Sequence, residues 1–223
     1  MIFFEAGSKL TLISFFASSI GGGIYFLKDN IFFVGNTMID TLISQIKKLK
    51  KPNFYNELKL KEKQYIVLTV HRPSNVDEIN ILNNIISFID SNCNNHPIIF
   101  PIHPRTLKNY KQLSIKTKNI YIVDPLSYHE FNYLVKNSKC VITDSGGITE
   151  EATFMNIPCI TLRDNTERPE TVEIGTNLLV GNDVDKLKIA LLDLFDNKWK
   201  KGKIPYLWDG NTSKRIVEIL LRL

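Results

Sequence analysis

The chain has 223 residues, 43% of them hydrophobic and 23% charged, with a formal net charge of +5. That is enough chain for a sizeable buried core, and the basic residues are scattered among asparagine and isoleucine instead of clustered, which argues against a nucleic-acid partner. Cys93, Cys140 and Cys159 show no CxxC spacing, so neither a zinc site nor a disulfide framework is supported, and a reducing, cytoplasmic setting is expected.

In chain order, the first feature is "LTLISFFASSIGGGIYFL", Leu10–Leu27, uncharged for 18 residues. It approaches the length of a membrane span. Its middle is rich in Ser and Gly, however, and Glu5 and Lys9 give no strongly basic flank for a signal peptide. The expectation is a piece of buried core and no membrane association. Residues 1–30 are therefore read as an irregular apolar segment, and 31–223 as the main domain, with a boundary near Asp29.

From Ile31 a regular alternation begins. "IFFV" is followed by a helical pattern over Thr37–Lys50, "YIVLTV" by Asp77–Ser91, and "IIFPI" by Thr106–Leu113. "IYIV" is followed by Tyr128–Asn137, "CVIT" by Ile148–Met155, "IPCITL" by a loop, and "NLLV" by Val184–Asp196; a last amphipathic helix covers Ser213–Leu223. Short β-branched runs alternating with helices predict an α/β, Rossmann-like, doubly wound parallel sheet. The connection around Pro52 reads as solvated.

In such a sheet ligands bind beyond the carboxyl ends of the strands. Those ends carry His71-Arg72-Pro73, His103-Pro104-Arg105, Asp124-Pro125, "DSGGITEEA" (144–152) and "RDNTERPE" (163–170). His-Arg and Glu-Arg sets at successive strand ends favour one composite site. If a helix starts near Gly146 or Gly147, its first amides lack internal acceptors and form an anion seat, which glycine leaves open. Ser145 is then an N-cap or a donor to the same anion. The competing reading is a tight strand-to-helix turn. Glu150 and Glu151 repel phosphate but accept hydrogen bonds from a vicinal diol, as on a ribose; at least one of them is expected to be a solvated helix-end charge. Arg168 is expected to clamp a phosphate or pair with Glu167 or Glu170, on a loop stiffened by Pro169. On residues alone, His71 is a strand-end histidine satisfied by a backbone carbonyl, and Arg72 and Arg105 are surface charges.

"TVHRPSNVD" (69–77), "PIHPRT" (101–106), "TDSGGITEEA" (143–152) and "RDNTERPET" (163–171) resemble the carboxyl-terminal half of the non-hydrolysing UDP-N-acetylglucosamine 2-epimerases, and "VGNTMIDTL" (34–42) resembles the entry into that family's second domain. The resemblance implies the C-terminal domain of a GT-B-type fold, with a UDP-sugar as ligand and neither nicotinamide nor metal as cofactor. It implies that Ser145, Gly146 and Gly147 contact the diphosphate and that Glu151 binds the ribose hydroxyls. Arg168 would lie in the nucleotide site, and His71, beside diphosphate and sugar, would be catalytic. Arg72, His103, Arg105 and Glu150 are further candidates. The implied chemistry is elimination of UDP across C1–C2 and re-addition on the other face.

Members of that family are longer, and their first domain supplies the carboxylates that act as acid and base at the sugar. "FFEAGSKL" (3–10) resembles a first-domain element bearing one of them, which would make Glu5 a remnant. The expectation is a truncated epimerase that alone binds UDP poorly or moderately and does not epimerise at a normal rate, with a homodimer or a complementing first-domain chain as partner. The alternatives are a GT-B glycosyltransferase and a non-catalytic nucleotide-sugar-binding remnant.

Overall fold

The computed structural model describes residues 31–222 together with two short strands near the amino terminus, β1 (Phe3–Glu5) and β2 (Leu12–Ile13). The apolar stretch Leu10–Leu27 apart from β2, the boundary near Asp29 and the Glu5 side chain lie outside the described residues. The chain divides into two compact units, residues 1–47 with 204–223, and residues 48–203.

In the first unit, β3 (Ile31–Phe33) pairs antiparallel with β1, which pairs antiparallel with β2. The "IFFV" run is therefore not the opening strand of the parallel sheet, contrary to expectation. The helix after it, α1 (Thr37–Gln45), is shorter than the sequence suggests and ends in a 3₁₀ turn at Ile46–Lys48. Asn36 caps it, its Oδ1 accepting from the Met38 amide at 2.9 Å. The helix α10 (Thr212–Leu220) is tied to this entry. The Asn36 amide donates to Thr212 Oγ1 at 2.9 Å, and Asp40 accepts from the Ser213 amide at 2.8 Å. Gly35 sits at φ +110° with Leu207 O only 2.5 Å from where a Cβ would stand, so glycine is required there.

The second unit is the expected Rossmann-like sheet. Its strands are β4 (Ile66–Thr69), β5 (Ile98–Pro101), β6 (Ile120–Val123), β7 (Cys140–Thr143), β8 (Cys159–Thr161) and β9 (Asn177–Leu179). They lie in the order β6-β5-β4-β7-β8-β9, all parallel. Alternation along β4 assigns the two faces. Ile66 and Leu68 pack with α4 (Ile79–Asn92) and α9 (Val184–Phe195), which contribute Leu82, Ile86, Leu187 and Leu191. Tyr65 and Val67 face the other layer, with Leu134 of α6 (Tyr128–Asn137) and Ala152 of α7 (Gly146–Phe154). Burial of both faces explains why the central strands β4, β5, β7 and β8 read as apolar runs. Cys140 and Cys159 lie within them as buried free thiols, and burial lifts the Cys159 thiol to about 12.

From β4 the chain winds outward through β5 and β6, then returns to β7 and winds the other way through β8 and β9. The reversal leaves a crevice between the carboxyl ends of β4 and β7, where such sheets hold ligands. Two short helices refine the expected loops: α3 (Pro73–Val76) follows β4, and α8 (Pro169–Glu173) interrupts the loop after β8. α5 (Pro104–Tyr110) starts earlier than its apolar spacing suggests because Pro104 occupies its first turn. Among the described residues no helix is long and apolar enough to cross a membrane.

Candidate functional site

The loops after β4, β7 and β8 are joined at one carboxylate. Asp144, fully buried one residue past β7, accepts from the His71 amide at 3.0 Å and the Arg72 amide at 2.8 Å. It also accepts from Asn75 Nδ2 at 3.0 Å, and that amide donates to Leu162 O as well, at 3.1 Å. Its Oδ1 lies 3.0 Å from His71 Nδ1. Burial pushes the Asp144 carboxyl up, but the bonds from His71, Arg72 and Asn75 outweigh it and hold the group below the usual aspartate range. The same bond to Asp144 raises the His71 pKa above that of an ordinary imidazole. His71 is thus satisfied by a carboxylate and not, as the residues alone suggest, by a backbone carbonyl. Below this junction the hydroxyls of Thr69 and Thr143 meet at 2.7 Å across the two strands.

Beside it α7 begins, and at nine residues it is a full helix. Ser145 is its extended N-cap residue, yet the Ser145 side chain makes no capping bond. Its amide donates to Thr143 Oγ1 at 3.0 Å. The cap role expected for Ser145 is not realised. Gly146 and Gly147 form the first turn, whose amides have no helical acceptors. A Cβ at Gly146 would stand 3.6 Å from Glu167 Oε2 and 3.8 Å from Arg163 Nη1, in ordinary contact only.

The glutamates of this helix are not solvated: Glu150 is 1% and Glu151 4% exposed. That reverses the expectation for at least one of them, because they lie beyond the first turn of α7, where Arg168 from the loop after β8 and Tyr128 and Asn132 of α6 meet them. Arg168 Nε lies 2.7 Å from Glu150 Oε1, a carboxylate distant in sequence, while its Nη1 donates to the Glu167 backbone carbonyl at 3.4 Å. Burial raises the Glu151 carboxyl, opposed by Tyr128 and Asn132 facing it, and its Oε1 finds no hydrogen-bond partner among the described residues. Glu167 is instead held in a two-pronged bond by Arg163, with both N–O distances 2.7 Å, and lies 3.7 Å from Arg72.

That grip pulls the Glu167 carboxyl down to about 2. A depressed carboxyl contributes stability that is present above its ordinary pKa and lost as pH falls toward the folded value. The wild-type chain should therefore lose more stability between about pH 5 and pH 2 than Glu167→Gln does. Thermal melts of the two proteins across that range check it; parallel curves would mean the pair contributes nothing.

Of the further candidates, His103 lies near His71, their ring centres 6.4 Å apart. Its Nδ1 accepts from the Arg105 amide at 3.2 Å, capping α5. Arg105 turns to Asp77, with bonds of 3.1 and 2.7 Å, on the surface. A cavity of about 170 Å³ opens by Arg72, Asn75 and Arg163. Residue reasoning gave no role to Asp144, Asn75 or Tyr128. The one available signal was Asp144 itself, a charge set immediately after the buried strand Cys140–Thr143.

The profile of the UDP-N-acetylglucosamine 2-epimerases matches residues 24–221. The chain belongs to the UDP-N-acetylglucosamine 2-epimerase family. Within that family it is 42% identical over 204 residues to the UDP-N-acetylglucosamine 2-epimerase of Methanocaldococcus jannaschii, covering 86% of this chain and 55% of the relative. It is 36% identical over 213 residues to the enzyme of that name from Campylobacter jejuni, covering 87% and 55%. The crystal structure of the M. jannaschii UDP-GlcNAc 2-epimerase in complex with UDP-GlcNAc and UDP superposes with a TM-score of 0.74 at 39% identity, over 88% of this chain and 56% of that one. The chain thus spans about half the length of the epimerase relatives it matches, and its Rossmann-like unit is the one expected of the C-terminal domain of a GT-B-type fold.

Proposed function

We propose that this chain supplies the UDP-holding domain of a UDP-N-acetylglucosamine 2-epimerase that interconverts UDP-GlcNAc and UDP-ManNAc. The observation that carries the reading is the meeting, at the crevice between β4 and β7, of the open start of α7 with the outward-facing His71 ring. In this reading the amides of Gly146 and Gly147 and the Ser145 hydroxyl take the diphosphate, where backbone donors and the helix dipole favour an anion. Glu151, with one buried oxygen unpartnered among the described residues, takes the ribose diol. Arg168, fixed by Glu150, lines the nucleotide site, and His71 lies against the diphosphate and the reacting sugar.

The reaction breaks the C1–O bond to UDP as a proton leaves C2, giving a glycal, then re-forms that bond with the proton delivered to the other face. UDP must stay bound while detached, so charge stabilisation at its β-phosphate serves the reaction and not affinity alone. The proton-moving carboxylates belong, by the family resemblance, to a first domain; a complementing chain or a homodimer is the proposed partner. Buried free thiols suit a cytoplasmic setting. A glycosyltransferase reading is not favoured, since the relatives at 36–42% identity are named as epimerases.

The test is titration calorimetry with UDP, followed by incubation with UDP-GlcNAc in deuterated water with and without a first-domain chain. UDP binding, with deuterium at C2 in the complemented sample, is the expected result. Absence of both overturns the reading.

A further inference from the structure

The Asp144 carboxylate does more than staple three loops. The backbone amides of His71 and Arg72 and the side chain of Asn75 all bond to Asp144 Oδ2, and the His71 amide also reaches Oδ1 at 3.2 Å. The other oxygen faces the His71 ring, with Nδ1 at 3.0 Å. We propose that Asp144 is a positioning residue for His71: it takes the Nδ1 hydrogen, fixes the ring, and presents Nε2–H at the crevice as the donor to the diphosphate. This rests on the UDP-binding reading above.

Three observations make the arrangement rigid and directional. Asp144 is fully buried, while the His71 side chain is 45% exposed, so the pair has a fixed inner member and an outer member that can meet a ligand. Asn75, itself 1% exposed, bonds both Asp144 and Leu162 O, which prevents the carboxylate from rotating away. With Nδ1 committed to a carboxylate, the neutral ring must carry its hydrogen there, and added protonation falls on Nε2, the atom facing outward. A negative charge one ring away from the diphosphate favours the imidazolium that such an anion needs. The groups facing His71 are Asp144 from the β7 end, Arg72 beside it, and His103 at the start of α5; Arg72 in turn approaches Glu167. Only the first of these is anionic and in contact with the ring.

The experiment uses the full chain labelled with ¹⁵N at its histidines, with His71→Gln identifying the His71 signals. In the wild type, Nδ1 should remain the protonated nitrogen of the neutral ring, and His71 should titrate above the ordinary 6.5. The Asp144→Asn variant should lower that midpoint and weaken UDP binding at neutral pH about tenfold or more. In a His71→Gln background, Asp144→Asn should change UDP affinity less than about twofold, because the two residues act as one unit. The proposal is overturned if the wild-type ring titrates at or below the ordinary value, if Nε2 carries the neutral proton, or if Asp144→Asn costs as much without His71 as with it. Should Asp144→Asn not fold, the wild-type spectra decide alone. Should the chain bind no UDP, the UDP reading fails on calorimetry, while the histidine titration still reports on the Asp144–His71 unit.

Discussion

An Arg168→Ala variant is expected to unfold at markedly lower temperature and to lose UDP binding as well. Arg168 Nε and Glu150 Oε1 are 2.7 Å apart, with the Glu150 side chain 2% exposed. Removing one member of a buried pair leaves its partner's charge short of compensation, at a cost of about 3 kcal/mol. For a chain of this size that is a fall of about 6–12 °C in the melting temperature. The loop itself is pinned at this residue. The Arg168 amide donates to Thr166 Oγ1 at 3.0 Å, and Thr171 Oγ1 donates to the Arg168 carbonyl at 2.7 Å. Losing the side chain therefore loosens a segment whose backbone remains tied, so a local collapse is expected instead of global unfolding at room temperature. Glu150→Gln removes the charge but keeps the shape, and should cost less. The double variant Arg168→Met/Glu150→Met separates the two roles: stability should largely return, because an apolar pair of similar volume is tolerated, while UDP binding should not. A melt of Arg168→Ala matching that of the wild type would remove the pair as an anchor of the site.

The parallel sheet was readable because its central strands are buried on both faces and so appear as apolar runs. The helix Tyr128–Asn137 was readable to the residue from its period, and the structure adds a reciprocal capping box between Ser127 and Glu130 at its start. "IFFV" misled because four apolar residues carry no record of whether their partner runs parallel or antiparallel, and β3 pairs with β1 far upstream. The glutamates of α7 misled for a different reason. Acidic residues near a helix start usually mean solvent and a favourable dipole, but this helix begins at Gly146, so both glutamates fall past its first turn, against Arg168 and α6. Arg168 shows the same limit from the other side: adjacent Glu167 and nearby Glu170 are its neighbours in sequence, yet the fold gives Glu167 to Arg163 and brings Glu150 to Arg168. The Asp144 junction was the least legible part, since it is assembled from residues about 70 positions apart. No local spacing rule reports a contact of that kind.

Gly146→Val is expected to weaken UDP binding strongly while leaving the fold nearly intact, and it bears most directly on whether the start of α7 is an anion seat or a turn. Gly146 is the first residue of the helix, and its φ is not in the positive region that glycine alone adopts freely. A side chain is therefore admissible on backbone grounds. Its Cβ would find Glu167 Oε2 at 3.6 Å and Arg163 Nη1 at 3.8 Å, which is ordinary contact. Replacing glycine also removes an unfolded-state entropy penalty, which offsets the modest helix cost of a β-branched residue. The melting temperature should accordingly shift by no more than a few degrees. The ligand meets a different situation. If the diphosphate sits on the first-turn amides, the valine methyls occupy the volume through which its oxygens approach. Two charge-assisted hydrogen bonds at about 1.5–3 kcal/mol each are then lost or stretched, which amounts to a fall of about 100-fold or more in affinity. Gly146→Ala should lie between the two. One indirect route must be separated: displacement of Glu167 from Arg163 by the methyls would raise the acid-unfolding midpoint governed by Glu167. An unchanged acid midpoint together with lost UDP binding assigns the effect to the seat itself, and undiminished UDP affinity in Gly146→Val would leave the glycines as a turn and nothing more.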